Sequence, residues 1–225
     1  MRKEYLYKNP SVTVDVIVFT VIDNELKVLL VKRKYEPFQG KWVIPGGFVR
    51  AEESLEDAAK RELLEETNVK DIYMEQLYTF GAPKRDPRGR VITIAYMSLI
   101  NSSNIDLKAS SDAAEAKWHP IYKMPELGFD HKDILDYALQ RLRYKLEYTT
   151  IAFQLLPEAF TLTALQTVYE IIFNKKLDKR NFRKKILSLG FIKDTKRMKR
   201  DVAHRPAKIY SFISEHTILE NFIKS

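Results

Sequence analysis

The chain has 225 residues, of which 45% are apolar, 30% charged and 12% aromatic, the profile of a folded globular protein with room for one large domain or two modest ones. It has no cysteine, which excludes disulfide frameworks, cysteine nucleophiles and cysteine-based zinc sites and fits a reducing compartment. The start, Met1-Arg2-Lys3-Glu4-Tyr5, lacks the apolar region of a secretory signal, and the most apolar stretch, Val12 to Ile22, is too short to span a bilayer and contains Asp15. The expected location is the cytoplasm, with no membrane partner.

The net charge of +8 is unevenly spread. Residues 1–149 carry 23 Lys+Arg and 23 Asp+Glu, whereas residues 150–225 carry 15 and 7, so the entire excess lies in the last third. Such asymmetry points to two units with different partners, the second facing something anionic. The expected boundary divides residues 1–148 from residues 149–225.

In chain order, the β-branched run Val12–Ile22, the turn Asp23-Asn24-Glu25 and Leu26–Lys32 read as a β-hairpin. After Lys41–Pro45 and the pair Gly46-Gly47 the pattern becomes helical. Ser54 is a good N-cap, Glu56 and Asp57 suit the first turn, and Leu55, Ala58, Ala59, Leu63 and Leu64 recur at helical spacing up to Asn68. Strands are expected at Tyr73–Phe80 and Val91–Leu99, joined by the turn-rich loop Gly81–Gly89, with a further strand around Asp112–His119 and an amphipathic helix over Asp130–Tyr148. The outline is an α/β sandwich.

Glu62, Glu65 and Glu66 are spaced to emerge on one face of the first helix, where their mutual repulsion costs stability unless a cation or basic partner relieves it. Three hard oxygen donors suit Mg²⁺ or Mn²⁺, while a plain E-x-x-E-E can also be a solvated acidic face. The wider pattern separates the two. Gly47-x5-Glu53-x7-Arg61-Glu62-Leu63-x-Glu65-Glu66-x-Asn68-Val69 resembles the Nudix box, G-x5-E-x7-R-E-U-x-E-E-x-G-U with U aliphatic, at every specified position except Asn68, where the family has glycine. Both residues suit a left-handed helix end.

The resemblance implies a Nudix α/β/α sandwich with a mixed sheet. It makes Glu62, Glu65 and Glu66 the metal-ligand candidates, with Glu53 and Arg61 completing the catalytic set of an active member, in which metal ions neutralise a diphosphate and activate a water. Gly46 and Gly47 would let backbone approach a ligand closely. The segment Phe80–Gly89 resembles the loop of Nudix proteins related to ADP-ribose pyrophosphatases and their regulatory cousins, and Gly128–Leu135 resembles their end-of-domain segment. Lys84, Arg85, Arg88 and His131 are therefore candidate ligand contacts, although Pro83, Pro87 and Gly89 also explain the loop as a set of turn formers and His131 also fits a structural helix start.

Beyond Thr149–Pro157, a short and mostly apolar junction, Thr161 or Thr163 can cap a helix with Leu165, Val168, Tyr169, Ile171, Ile172 and Phe173 on its buried face. Asp178 caps a second helix, ended by Gly190, with Phe182, Ile186 and Leu189 inward and Lys179, Arg180, Arg183 and Lys184 outward. Phe191-Ile192, a polar basic loop over 193–204 and a strand over Ala207–Ile213 form a hairpin wing, with Arg205 and Lys208 upon it. Between Asn174 and Lys208 fourteen Lys+Arg face three Asp+Glu, the electrostatic footprint of a DNA-binding element; a plain basic face, an RNA contact or a membrane contact fits less well.

The order Nudix-like domain, then smaller winged-helix DNA-binding domain, resembles the Nudix-related transcriptional regulators of bacteria over almost the whole chain. That resemblance implies a homodimeric repressor or activator on double-stranded operator DNA, its Nudix-like domain sensing an ADP-ribose-type ligand or a sugar such as a pentose. Hydrolysis is expected to be weak or absent. The competing reading is a Mg²⁺-dependent Nudix pyrophosphohydrolase acting on ADP-ribose or a related nucleoside diphosphate derivative.

Overall fold

A computed structural model describes residues 9–101, 105, 107–108, 113–148, 151–199 and 206–213. The hairpin forms as expected. Strands β1 (Ser11–Ile22) and β2 (Glu25–Arg33) meet at Asp23 and Asn24, whose φ angles of 54° and 59° are those of the two-residue turn that matches strand twist. β3 (Trp42–Val43), β4 (Gly46–Phe48), β5 (Glu75–Phe80), β6 (Val91–Leu99) and β7 (Ala113–Pro120) complete a seven-stranded mixed sheet ordered β3-β2-β1-β6-β5, with β4 on β1 and β7 on β2. β1 runs parallel to β6 and antiparallel to β4. Such a strand needs cover on both faces, which is why β1 is apolar almost throughout.

Helix α1 (Leu55–Thr67) covers one face. Its Ala58, Ala59 and Leu63 pack with Val14, Val16, Val18, Leu29 and Ile94. On the other face, reached by the alternate residues of β1, Asp15 lies against His131, the first residue of α2 (His131–Tyr148). Leu64 is the exception to the expected inward face of α1, being 43% exposed. Ser54 caps α1 through Asp57 N–H, and Asn68 ends it with φ 62° while its own N–H donates to Leu64 O. The asparagine therefore occupies the left-handed position that glycine would take.

The chain divides into two compact units, one up to Thr20 and over Leu26–Gln140, the other comprising Val21–Glu25 and the chain from Arg141 onward. The second unit holds a 3₁₀ turn (Ile151–Leu155), β8 (Ala159–Thr161), α3 (Leu162–Phe173), α4 (Lys179–Ser188), β9 (Ile192–Lys199) and β10 (Ala207–Phe212). A three-stranded antiparallel sheet, β8-β10-β9, closes against the helices. Thr161 and Asp178 cap α3 and α4, and Leu165, Val168, Ile172, Phe182 and Ile186 form the core between them.

The turn between these helices is tied by Glu170, which accepts from Gln166, from Leu177 N–H at 3.1 Å and from Lys176 at 2.8 Å. The Lys176 contact, with Leu177 N–H and Gln166, holds the Glu170 carboxyl down at about 2. Three expectations need correction. The first half of the supposed basic loop is strand β9, β8 was not foreseen, and Leu189 follows the end of α4 with 40% exposure instead of facing inward. Arg205 lies outside the described residues.

Because the left-handed position at residue 68 is already filled by a tolerant residue, Asn68→Gly should change stability by less than about 1 kcal/mol, whereas Asn68→Val should cost about 1–2 kcal/mol. Denaturant unfolding of the two variants measures both; a Val variant as stable as the parent would contradict the strain argument.

Candidate functional site

The first unit carries a cleft of about 410 Å³ over the ends of β1, β2 and β4 and one face of α1. Its acidic wall is organised by one guanidinium. Arg61 grips Glu53 through Nε at 2.9 Å and Nη2 at 2.6 Å, donates from Nη1 to Glu62 at 2.6 Å and Glu65 at 3.3 Å, and from Nη2 to Phe48 O. The hydrogen bonds from Arg61, with Arg50 N–H, hold the Glu53 carboxyl at about 2, and these carboxylates in turn keep Arg61 firmly charged.

Glu66 lies deeper. Burial pushes its carboxyl up to about 8, with the charges of Glu62 and Asp15 adding and Gly46 N–H, at 2.9 Å, and Arg33 opposing. Burial also raises Glu62, against the pull of Arg61. Gly46 is required here by space, and Gly47 leaves room for the Glu62 carboxylate. A Cβ at Gly46 would sit 2.1 Å from Val14 O, and one at Gly47 would sit 2.4 Å from Glu62 Oε1.

The donor chemistry of Glu62, Glu65 and Glu66 fits a hard divalent cation, and Glu62 and Glu66 share the half-buried wall. Glu65 is turned outward, toward Arg61 and Arg50, so among the described residues no three side chains form a ready ligand cluster.

The floor is a buried polar network. Arg85 makes a two-pronged pair with Asp130, at 2.9 and 2.7 Å, and lies 3.6 Å from Asp15, which accepts from Thr93 Oγ1 at 2.6 Å. His131 accepts Ile44 N–H at Nδ1 (2.8 Å), which leaves its proton on Nε2, 3.7 Å from Asp15. Burial lowers its pKa, so it is the neutral tautomer. Of the sequence-stretch candidates, Arg85 and His131 thus act first as floor supports, while Lys84 is exposed and does not line the cleft.

Arg88 stands at the rim, paired with Asp86 at 2.7 Å and lying over the rings of Phe48 (4.8 Å) and Phe129 (5.4 Å). Arg33 on β2 is a cleft residue that sequence reasoning missed, because it lies outside the box and meets its neighbours only through the fold. Its Nε donates to Pro37 O at 2.7 Å and its guanidinium lies 5.1 Å from the centre of Phe129.

The second unit carries a groove of about 760 Å³ between the start of α3, α4 and the β9–β10 wing. Lys179, Arg183, Lys199 and Lys208 line it, with Thr161 and Thr163 at the α3 N-terminus and no carboxylate among the lining residues. Lys179, Arg180 and Lys184 are exposed on α4. Arg183 corrects the expectation of a fully outward side chain: it is half-buried and turned so that Nη2 is 3.4 Å from Thr163 Oγ1, while its buried Nε has no hydrogen-bond acceptor. Lys208 pairs with Asp194 at 2.9 Å across the wing. Among the described residues no helix is long and apolar enough to cross a membrane.

Comparison with known proteins agrees with this division. The NUDIX domain matches residues 12–138 and the NrtR DNA-binding winged helix domain matches residues 152–212. The chain is 38% identical over 210 residues to the ADPR responsive transcriptional repressor NtrR of Acinetobacter baylyi, covering 92% of this chain and 83% of that protein. It is 41% identical over 135 residues to the ADP-ribose pyrophosphatase of Methanocaldococcus jannaschii, covering 60% of this chain and 76% of the enzyme. Among solved structures it resembles Shewanella oneidensis NrtR complexed with a 27mer DNA, with TM-score 0.74 and 36% identity over 90% of this chain and 93% of that one. The NUDIX domain of the same protein complexed with ADP ribose matches with TM-score 0.56 and 40% identity over 60% of this chain and 90% of that one.

The raised Glu66 carboxyl has a thermodynamic consequence. The folded chain keeps a proton that the unfolded chain releases, so stability falls as pH rises from the ordinary glutamate value of 4.5 to about 8. In chelator, Glu66→Gln should therefore melt at least about 4 °C above the parent at pH 8.5 and close to it at pH 4.5. Parallel melting curves at the two pH values measure this; a Gln variant no more stable at pH 8.5 would show that Glu66 ionises like an exposed glutamate.

Proposed function

Because the chain belongs to the Nudix-related transcriptional regulators, DNA-binding proteins that join a Nudix domain to an NrtR-type winged helix, we propose that it is an ADP-ribose-responsive repressor. The observation that carries this reading is the pairing, in one chain, of a cleft built on the Nudix box with a winged-helix groove whose charged lining residues are all cations. The relative that covers most of the chain is itself ADPR responsive, which favours ADP-ribose over a pentose as effector.

In this reading α4 enters the major groove and Lys179, Arg180 and Lys184 meet bases and phosphates there. Arg183 and the α3 N-terminus suit a backbone phosphate, since the guanidinium has an unused buried donor and the helix end presents free N–H groups. Lys208 lies on the wing, and Arg205 is a further proposed DNA contact. The protein acts as a homodimer on a near-palindromic operator whose half-sites lie roughly 34 Å apart or a multiple of it.

Bound in the cleft, ADP-ribose lowers operator affinity only as far as it binds the DNA-free conformation more tightly, which makes repression a coupling between two sites. Gly46 and Gly47 give it backbone access, Arg88 is its proposed contact from the loop, Arg85 and His131 are proposed to support it from the floor, and Lys84 lies outside the cleft lining. Mg²⁺ or Mn²⁺ would be held by Glu62 and Glu66, with Glu65 swinging in. Such an ion supplies charge neutralisation at a diphosphate and an activated water.

The intact grip of Arg61 on Glu53 and Glu62 supports a second reading, residual hydrolysis of ADP-ribose. The paired substitution Glu65→Gln with Glu66→Gln should remove both Mg²⁺ binding and any turnover while leaving operator affinity within about threefold, about 0.7 kcal/mol.

Selection of genomic fragments with the purified protein, followed by fluorescence anisotropy on the recovered site across a salt series, tests the main reading. A palindromic site with steep salt dependence, released by ADP-ribose, is expected. Reversing the charges of Arg180 and Arg183 should abolish retention of that site while leaving ADP-ribose affinity in place. Normal operator binding by the reversed variant would exclude α4 as the recognition helix, and absence of any enriched sequence would move the hydrolase reading to first place.

A further inference from the structure

We infer that Arg33, together with Arg88, forms a diphosphate clamp at the rim of the Nudix cleft, and that this clamp lets the effector bind without a divalent metal. The inference rests on the ADP-ribose reading above and names the groups that would hold the ligand's diphosphate.

Arg33 is a half-buried guanidinium with no carboxylate in ion-pair contact among the described residues. Its Nε is spent on Pro37 O, and among the described residues Nη1 and Nη2 have no acceptor and no carboxylate stands within ion-pair distance. A second cation shares its ring, because Arg33 and Arg88 lie 5.1 and 5.4 Å from the centre of the same Phe129 ring. Burial and the Arg88 charge disfavour the charged form of Arg33, with the charges of Glu66, Asp86 and Glu36 opposing from beyond ion-pair distance, so an anion held by the free donors of the pair would relieve it. Arg88 is only partly compensated, since Asp86 takes its Nε and Nη2.

The aromatic rings help hold the guanidiniums in place. Phe48 and Phe129 lie within cation–π distance of them, and the donors left for phosphate oxygens are Nη1 and Nη2 of Arg33 and Nη1 of Arg88. The acidic wall does not forbid this. The cleft is lined by Lys32, Arg33, Lys34, Arg50, Arg61, Arg85 and Arg88 against Asp15, Glu62, Glu65, Glu66 and Asp86, so cations outnumber carboxylates before any metal arrives. The hydrolytic and sensing ends of the cleft are then different: the box glutamates serve a metal, and the Arg33–Arg88 rim serves the anion itself.

Calorimetric titration of the full chain in EDTA, with ADP-ribose and with inorganic pyrophosphate as separate probes, tests the clamp. Both ligands are expected to bind the parent in EDTA within about fivefold of their Mg²⁺ affinities, about 1 kcal/mol. Arg33→Gln should weaken both at least about tenfold, and Arg33→Lys, which keeps the charge and loses the fork, should fall between. Unchanged melting temperatures of the two variants exclude a folding defect. Binding of either probe only with Mg²⁺, or indifference to Arg33→Gln, overturns the clamp while leaving the ADP-ribose reading intact. Pyrophosphate binding that depends on Arg33, with no ADP-ribose binding under either condition, supports the clamp and overturns the choice of effector.

Discussion

The cleft depends on Arg61. Three carboxylates on one helical face and a fourth in the preceding loop would repel one another in water and more strongly when half-buried. One guanidinium resolves this, because its donors reach Glu53, Glu62, Glu65 and the carbonyl of Phe48 at once. A lysine in its place would offer a point charge without the planar fork that ties α1, the loop before it and β4 into one wall. The same contacts keep Glu53 ionised, while the deeper Glu66, beyond the reach of Arg61, is left to burial and its proton is retained. Two glutamates of one motif are thus shifted in opposite directions, Glu53 by the hydrogen bonds of Arg61 and Glu66 by burial.

The two units handle charge in contrasting ways. In the first, acid and base are interleaved: Arg85 against Asp130, Arg88 against Asp86, Arg61 against the box. Such pairing gives fixed dipoles and a shaped floor, which suits a small ligand with both neutral and anionic parts. In the second, the groove beside α4 is cationic without internal relief, apart from the Asp194–Lys208 pair at its edge. Unrelieved positive charge is destabilising for an isolated fold and becomes useful when it neutralises a polyanion, whose condensed counter-ions are then released to the solvent.

Local signals made much of this legible in the sequence. The caps Ser54, Thr161 and Asp178, the Asp23-Asn24 turn and the left-handed Asn68 are all set by residues within a few positions of one another, and the sequence points to each of them, Thr161 as one of two threonines able to cap α3. The box identifies the acidic wall for the same reason. What was not legible is long-range. Arg33 joins the cleft only because β2 lies beside β3 and Phe129 comes round from the far side of the chain. Arg85 reads as a ligand contact in a turn-rich loop until Asp130, forty-five residues on, takes both prongs of its fork. β8 has three residues and no pattern of its own; it exists because β10 offers it an edge. Arg183 has the helical phase of an outward residue, yet its long stem lets the head fold back to Thr163.

A regulator built on a catalytic motif has to separate holding its ligand from consuming it. Hydrolysis needs a metal, a water and a diphosphate in line, so a small displacement of one carboxylate is enough to suppress it. Glu65, turned outward toward Arg61 and Arg50, has to move before all three box glutamates can share an ion, whereas the floor and the rim need no such movement. Binding, by contrast, needs only charge and shape that are already present. Since coupling is reciprocal, whatever factor the effector removes from operator affinity, the operator removes from effector affinity. A ligand that persists in the cleft can maintain that balance, whereas one destroyed on binding would report its own turnover instead of its concentration.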